Sequence, residues 1–77
     1  MKYYFAAFGS RTQGMRFFDM TKRRGITVAL INTPRGAAGL GCGISVKFCG
    51  DDFDKMREIL HGGCYTAFDG FYELTNN

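Results

Sequence analysis

The chain has 77 residues, of which 45% are hydrophobic and 16% aromatic, and it carries a net charge of +3. This length favours a single domain over residues 1–77, whose core the eight Phe and four Tyr residues can build, since each ring buries roughly 150–250 Å². No apolar run approaches the ~20 residues of a membrane span, and the mild positive charge permits an anionic partner without requiring one.

Cysteine and histidine usage limits the redox and metal chemistry. The three cysteines cannot all pair in disulfides, no Cys-x-x-Cys motif is present, and the single histidine, His61, gives a poor zinc signal. The sequence therefore indicates no metal site and no cofactor. The apolar N-terminal stretch is broken at Gly9, too early for a signal peptide. Free thiols without an export signal predict a protein of the reducing cytoplasm.

The first third of the chain predicts a strand and a helix. Residues 3–8 are aromatic and apolar, which is typical of a strand, and Gly9 ends it. Ser10 is a favourable N-cap for a helix over residues 11–24, and Gly25 is a natural residue after its end. The predicted inward stripe has helical spacing and consists of Gly14, Phe17, Phe18 and Thr21, with Met15 or Met20 at its margin.

The middle of the chain predicts two strands with an unusually long connection. Residues 26–31 are β-branched and apolar, and residues 44–48 alternate apolar with polar side chains. The glycine-rich segment 32–43 joins them, although hairpin connections usually take about 2–5 residues. The extra length suggests a function for this segment.

The last third predicts a second helix and a fourth strand. Asp51 is the expected cap of a helix over about residues 52–61, and the strand over 65–74 has a possible irregularity at Asp69-Gly70. The apolar stripe of the helix consists of Phe53, Met56, Ile59 and Leu60. The resulting order, β-α-β-β-α-β, predicts a ferredoxin-like α+β domain, in which both helices cover one face of a four-stranded antiparallel sheet.

The strongest functional candidate in the sequence is Cys42, which lies between Gly41 and Gly43. Glycines on both sides leave the thiol accessible, and Arg35 is the nearest candidate cation to favour a thiolate. Glycine-rich backbone can also present N–H groups to an anion. The alternative is that Cys42 is a small buried hydrophobe at the start of a strand, as free cysteines often are. Cys49 and Cys64 are expected to be structural, although either could resolve Cys42 if the fold brings it close.

The chain resembles the Se/S carrier protein-like family over roughly residues 3–73. Pro34-Arg35 followed by Cys42-Gly43 is the most specific part of the resemblance. Further marks are Tyr3-Tyr4-Phe5, Ser10, Gly25-Ile26, Thr33 before Pro34, and Tyr72. In the family a serine-containing stretch often precedes the cysteine, whereas residues 36–41 of this chain contain no hydroxyl.

The resemblance implies a sulfur or selenium carrier that acts with partner proteins. Cys42 would be the carrier thiol, Arg35 would stabilise its anionic form, and Gly41 and Gly43, with Pro34 at the segment's start, would complete the binding site. A donor protein and an acceptor protein would supply and remove the atom. The sequence does not distinguish sulfur from selenium.

Two other functions compete with the carrier. A ferredoxin-like sheet leaves one face uncovered, so a non-catalytic module that dimerises through its sheet or binds a small ligand is the main alternative. RNA binding is a more distant alternative, in which Tyr3 and Phe5, or Tyr4 and Phe8, would stack on bases. RNA-recognition motifs share this strand order, but residues 43–48 lack their aromatic signature. Stand-alone enzyme chemistry has little support, since no nucleotide-binding glycine pattern and no catalytic carboxylate pair is present.

Overall fold

The computed structural model describes residues 2–33 and 43–74 of the chain. Within them the elements occur in the order β-α-β-β-α-β, as the sequence predicts. Their bounds are β1 Tyr3–Phe8, α1 Arg11–Arg23, β2 Val28–Asn32, β3 Ile44–Cys49, a 3₁₀ turn Gly50–Asp52, α2 Phe53–Gly62 and β4 Phe68–Leu74.

The four strands form one antiparallel sheet in the order β2-β3-β1-β4. Each helix connects two strands that are not neighbours, and both helices pack on the same face of the sheet around a shared core. The predicted ferredoxin-like α+β fold is therefore confirmed. Within the described ranges, no helix is long and apolar enough to cross a membrane.

Aromatic rings fill the core between the sheet and the helices. Phe8 and Phe17 are fully buried with ring centroids 5.2 Å apart, and Phe8 also contacts the rings of Tyr65 and Phe68. At the other end of the sheet, Phe48 packs against further rings from α2 and β4. Each aromatic pair adds roughly 0.5–1.5 kcal/mol beyond the area it buries, which helps a chain this short to fold.

Helix α1 begins and ends as predicted. The Ser10 hydroxyl accepts a hydrogen bond from the Gln13 backbone N–H at 3.2 Å, and Gly25 has a positive φ of 85°. The N–H groups of Gly25 and Ile26 donate to the carbonyls of Lys22 and Thr21, which is a Schellman end. Gly14, Phe17 and Thr21 are buried and Phe18 is half-buried, so the predicted inward stripe is also confirmed.

Three predicted boundaries are wrong at their N-terminal ends. β2 begins at Val28 rather than at residue 26, because the Ile26 N–H is bonded to the helix end. Asp51 does not cap α2, since it lies in the 3₁₀ turn that precedes that helix. β4 begins at Phe68 rather than at residue 65, because Tyr65–Ala67 form a turn closed by a bond from the Phe68 N–H to the Tyr65 carbonyl. The predicted irregularity at Asp69-Gly70 is confirmed by a shift in the pairing of β4 with β1.

Candidate functional site

Thr33 and Gly43 flank segment 34–42 and are bonded to each other. The Thr33 backbone N–H donates to the Gly43 carbonyl at 3.4 Å, which extends the pairing of β2 with β3 by one step beyond Asn32 and Ile44. The two residues that flank the segment are thereby held together at one end of the sheet. We call Thr33, Gly43 and Ser45 the segment base.

A pair of hydroxyls lies at the segment base. Thr33 Oγ1 and Ser45 Oγ are 2.8 Å apart, and either can be the donor. Ser45 is completely buried, between Ile31 of β2 and Ala7 of β1, on the face of the sheet opposite the helices. Since the two hydroxyls carry two hydrogens and their mutual bond uses one, the pair can donate one further hydrogen bond. The other hydrogen bonds of the described residues do not involve either hydroxyl.

Gly43 fits closely against the end of β1. A Cβ atom at this position would overlap the carbonyl oxygen of Phe8 and would lie 3.2 Å from Thr33 Oγ1. The sequence singled out Gly43 as a glycine that leaves the neighbouring thiol accessible. The structure adds a packing requirement, because the backbone of β1 leaves no room for a side chain there.

The amino end of α1 lies at the same end of the sheet as the segment base. Gly14 packs so closely on Ile44, the first residue of β3, that a Cβ on this glycine would overlap the Ile44 side chain. Gln13 fixes the helix from the other side: its Nε2 donates to Thr66 Oγ1 at 2.9 Å, and its Oε1 accepts from the Ala67 N–H at 2.8 Å. The positive end of the α1 dipole is therefore held next to the start of β3.

Four of the predicted site residues, Pro34, Arg35, Gly41 and Cys42, lie outside the described residues, and only Gly43 is placed. Sequence reasoning named Thr33 only as a mark of the family resemblance, and it missed Ser45 and Gln13. Thr33 precedes Pro34 and Ser45 follows Gly43 by two residues, so their closeness to the predicted site residues in the sequence could have indicated both. No local sequence pattern predicts the long-range hydrogen bonds of Gln13.

The two other cysteines do not occupy buried core positions. Cys64 is exposed and Cys49 is half-buried, so the expectation that both pack as small hydrophobes is wrong for Cys64 and only partly met by Cys49. Cys49 ends β3 opposite Tyr3, whereas Gly43 precedes the same strand. Six residues of strand, about 20 Å, separate the two positions, which places Cys49 at the far end of the sheet from the segment base.

A groove surrounds Cys49 on the face of the sheet opposite the helices. Its volume is about 410 Å³, and Tyr3, Ala29 and Lys47 line it together with the cysteine. The Lys47 ammonium lies 4.7 Å from the centre of the Tyr3 ring. Across residues 2–33 and 43–74, no three His, Cys, Asp or Glu side chains are arranged to hold a metal ion.

The same face offers few rings for base stacking. Phe5, one of the rings considered for RNA stacking, is only 3% exposed. It stacks on Tyr72, with the two ring centroids 5.4 Å apart. Tyr4 and Phe8, the other ring set, lie on the helix side of the sheet in or against the core. Single-stranded RNA recognition needs accessible ring faces, so the placement of these side chains does not favour it.

The sequence profile of the family described as "Putative Se/S carrier protein-like" matches residues 3–73 of the chain. The matched range includes all but the outermost residues of the two described parts and the whole of segment 34–42. No curated protein and no solved structure matches the chain.

Proposed function

Since the chain belongs to the Se/S carrier protein-like family, we propose that it carries a sulfur or selenium atom on Cys42 between a donor protein and an acceptor protein. The observation that carries the proposal is the family match over residues 3–73, which spans the Pro34-Arg35 and Cys42-Gly43 pairs. A thiol flanked by glycines is the group in this segment that can take up a chalcogen atom reversibly.

The proposed transfer proceeds by exchange between thiols and persulfides. The Cys42 thiolate attacks the outer sulfur of a persulfide on the donor, the donor's S–S bond breaks, and the donor leaves as a thiolate. Cys42 then holds the persulfide until a thiolate of the acceptor attacks its outer sulfur and releases the Cys42 thiolate. Each step replaces one S–S bond by another, so no electrons are gained or lost. Selenium would take the place of the outer sulfur.

This chemistry depends on the thiolate. A free cysteine has a pKa of about 8.5, so only a few per cent is ionised at neutral pH unless nearby positive charge or hydrogen-bond donors stabilise the anion. We assign this role to Arg35 together with the amino end of α1, which Gly14 and Gln13 hold beside the start of β3. Helix N-termini lower thiol pKa values in this way.

The hydroxyl pair at the segment base is a further donor for the carried atom. Residues 36–41 lack the serine that often precedes the cysteine in this family. Thr33 and Ser45 supply hydroxyls one residue before Pro34 and two residues after Gly43, and their pair retains one hydrogen to donate. We assign that hydrogen to the anionic sulfur or selenium on Cys42.

Donor and acceptor proteins follow from the same proposal, because a domain with one carrier thiol has little surface for selecting small substrates. A carrier thiol must stay reduced between transfers, so we place the protein in the cytoplasm.

The test is a comparison of thiol reactivity across pH in variants that each retain one cysteine. We expect Cys42 to react with an alkylating agent at an apparent pKa below the ordinary value of about 8.5, and faster at neutral pH than the exposed Cys64. Arg35→Ala should return the profile toward that of an ordinary thiol. Ser45→Ala is introduced into both the variant that retains Cys42 and the variant that retains Cys64. It should slow the alkylation of Cys42 and leave that of Cys64 unchanged, so the second variant serves as the control.

Mass spectrometry then distinguishes a carrier from a merely reactive thiol. After incubation with a persulfide donor, the intact protein should gain the mass of one sulfur atom at Cys42, and a thiol acceptor should remove it. The proposal fails if Cys42 is no more reactive than Cys64, or if sulfur is added equally to all three cysteines.

A further inference from the structure

Among residues 2–33 and 43–74, no element covers the outer side of β2. β2 is a terminal strand of the sheet, and no other strand of the described residues pairs with its outer side. Its sequence, Val-Ala-Leu-Ile-Asn, contains no charge and no proline, and its pairing with β3 runs without a bulge. Natural proteins usually block such edges because they pair readily with other chains.

The opposite edge of the same sheet is protected. β4 carries the acidic residues Asp69 and Glu73, and Gly70 has a positive φ of 144°. Its pairing with β1 shifts register beside Ala7, which is the kind of irregularity that prevents a second strand from adding. Within the described residues, β2 is therefore the edge of the sheet that a further strand can join.

The backbone groups that β2 presents outward follow from its pairing. Thr33 donates to Gly43, so these two residues form a hydrogen-bonded pair, and hydrogen-bonded pairs recur at every second residue of an antiparallel ladder. Ile31 and Ala29 therefore also direct their N–H and C=O groups toward β3. The intervening residues direct theirs away from the sheet; these are Val28, Leu30 and Asn32.

We propose that β2 pairs antiparallel with β2 of a second copy of this chain, about a two-fold axis at Leu30. Leu30 would then pair with Leu30 of the other copy, and Val28 would pair with Asn32 in both directions. This register satisfies the three outward N–H groups and the three outward C=O groups of each strand, and it extends the sheet across both copies.

The side of α1 that lies beside β2 is also compatible with this dimer. Leu30 is 36% exposed and Met15 of α1 is 52% exposed, and with the half-buried Phe18 they form the apolar part of one groove. Its other lining residues are Thr12, Arg16 and Asp19. α1 packs over both β2 and β3. Strands pair about 4.8 Å apart, so the two α1 helices would lie about 10 Å apart, at a distance where helices pack.

A second copy of β2 can satisfy every outward backbone group of this edge. The outward residues are arranged symmetrically about Leu30, so an identical strand satisfies all of them in one register. The edge carries no charge, so pairing with itself places no like charges opposite one another, although the chain as a whole is positive.

The test is the association state of the full chain, measured by sedimentation velocity over a range of concentrations. A reducing agent must be present, so that disulfides between copies do not contribute. We expect a reversible dimer. Leu30→Pro removes an outward N–H without removing a bond to β3, and Met15→Glu places a charge in the groove beside β2. Each should raise the dimer dissociation constant by about tenfold or more.

Met20→Glu is the matched control. Met20 is also exposed, at 42%, and lies on the same helix, but it lines a different groove with Tyr65 and Ile59. It should leave the dissociation constant unchanged. Circular dichroism checks that each variant is folded. If Leu30→Pro does not fold, Met15→Glu still tests the proposal, because it alters only an exposed side chain. A wild-type chain that remains monomeric overturns the proposal, as does a dimer that neither variant weakens. None of these substitutions replaces Cys42 or Arg35, so the carrier proposal is tested separately.

Discussion

Gly43, which directly follows segment 34–42, packs closely against the end of β1. We predict that Gly43→Ala lowers the free energy of unfolding by about 1–3 kcal/mol, because the added methyl group would overlap the Phe8 carbonyl, which is backbone and cannot rotate away. Urea unfolding measures the loss. Gly62→Ala is the control, since a Cβ at Gly62 would meet nothing within 4 Å. Equal stability of the two variants would contradict the close fit at Gly43.

The hydroxyl pair of Thr33 and Ser45 gives a second prediction for single residues. Ser45→Ala and Thr33→Val each remove one partner of the 2.8 Å bond and leave the other hydroxyl without it. We expect each to lower the free energy of unfolding by about 1 kcal/mol, and the double variant to lose less than the sum, with a coupling of about 0.5–1.5 kcal/mol. A double-mutant cycle in urea measures this coupling. Strict additivity would show that the two hydroxyls do not stabilise one another.

Among the elements, α1 depends on Gln13 for its placement. Gln13→Ala removes the hydrogen bonds to Thr66 and to the Ala67 N–H. We predict that it lowers the free energy of unfolding by about 1–3 kcal/mol, even though alanine is the better helix former. Gln13→Glu is the matched control, because a carboxylate can accept from both the Thr66 hydroxyl and the Ala67 N–H, and an acid suits the first turn of a helix.

Hydrogen exchange at the Ala67 amide checks the mechanism directly. Its N–H is bonded to Gln13 Oε1 at 2.8 Å, so its exchange should accelerate in Gln13→Ala and stay slow in Gln13→Glu. Slow exchange in both variants would show that Gln13 is not what holds this turn.

The elements also show which structural signals are local. α1 could be predicted within one residue at its end, because Ser10 and Gly25 act on backbone groups three to four residues away. The start of β2 could not be predicted in this way. Ile26 has a side chain typical of a strand, but its N–H is hydrogen-bonded to the end of α1. β4 was predicted too long for a similar reason: Gln13, more than fifty positions earlier, fixes residues 66–67 in a turn.

At the scale of the whole molecule, the fold could be predicted because strands and helices of these lengths, in this order, have few ways to form one sheet. The candidate site could be predicted less fully than the fold. Cys42 and Arg35 were predicted from glycine context and from the family resemblance, and their roles stay predictions. The hydroxyl pair was missed, because Thr33 and Ser45 meet only after β2 and β3 have paired.

The stability of the whole domain should depend on Phe8 more than on any exposed ring. A chain of this length has a free energy of unfolding of about 4–12 kcal/mol. Phe8 is fully buried and contacts the rings of Phe17, Tyr65 and Phe68, so Phe8→Ala should remove about 3–5 kcal/mol and lower Tm by roughly 12 °C or more. Thermal unfolding followed by circular dichroism measures both quantities.

Tyr3→Ala is the control for this prediction, because Tyr3 is 39% exposed on the same strand and its ring contacts Lys47 across the open face. Tyr3→Ala should lower the free energy of unfolding by about 1 kcal/mol or less.

Phe8 also links the core to the segment base, because its backbone carbonyl is the group against which Gly43 packs. Losing the Phe8 ring should therefore loosen the segment base before the domain unfolds. Cys42 alkylation in Phe8→Ala should then depart from the wild-type pH profile at temperatures where Tyr3→Ala still follows it. Identical Cys42 profiles in both variants would show that the segment base is held independently of the core.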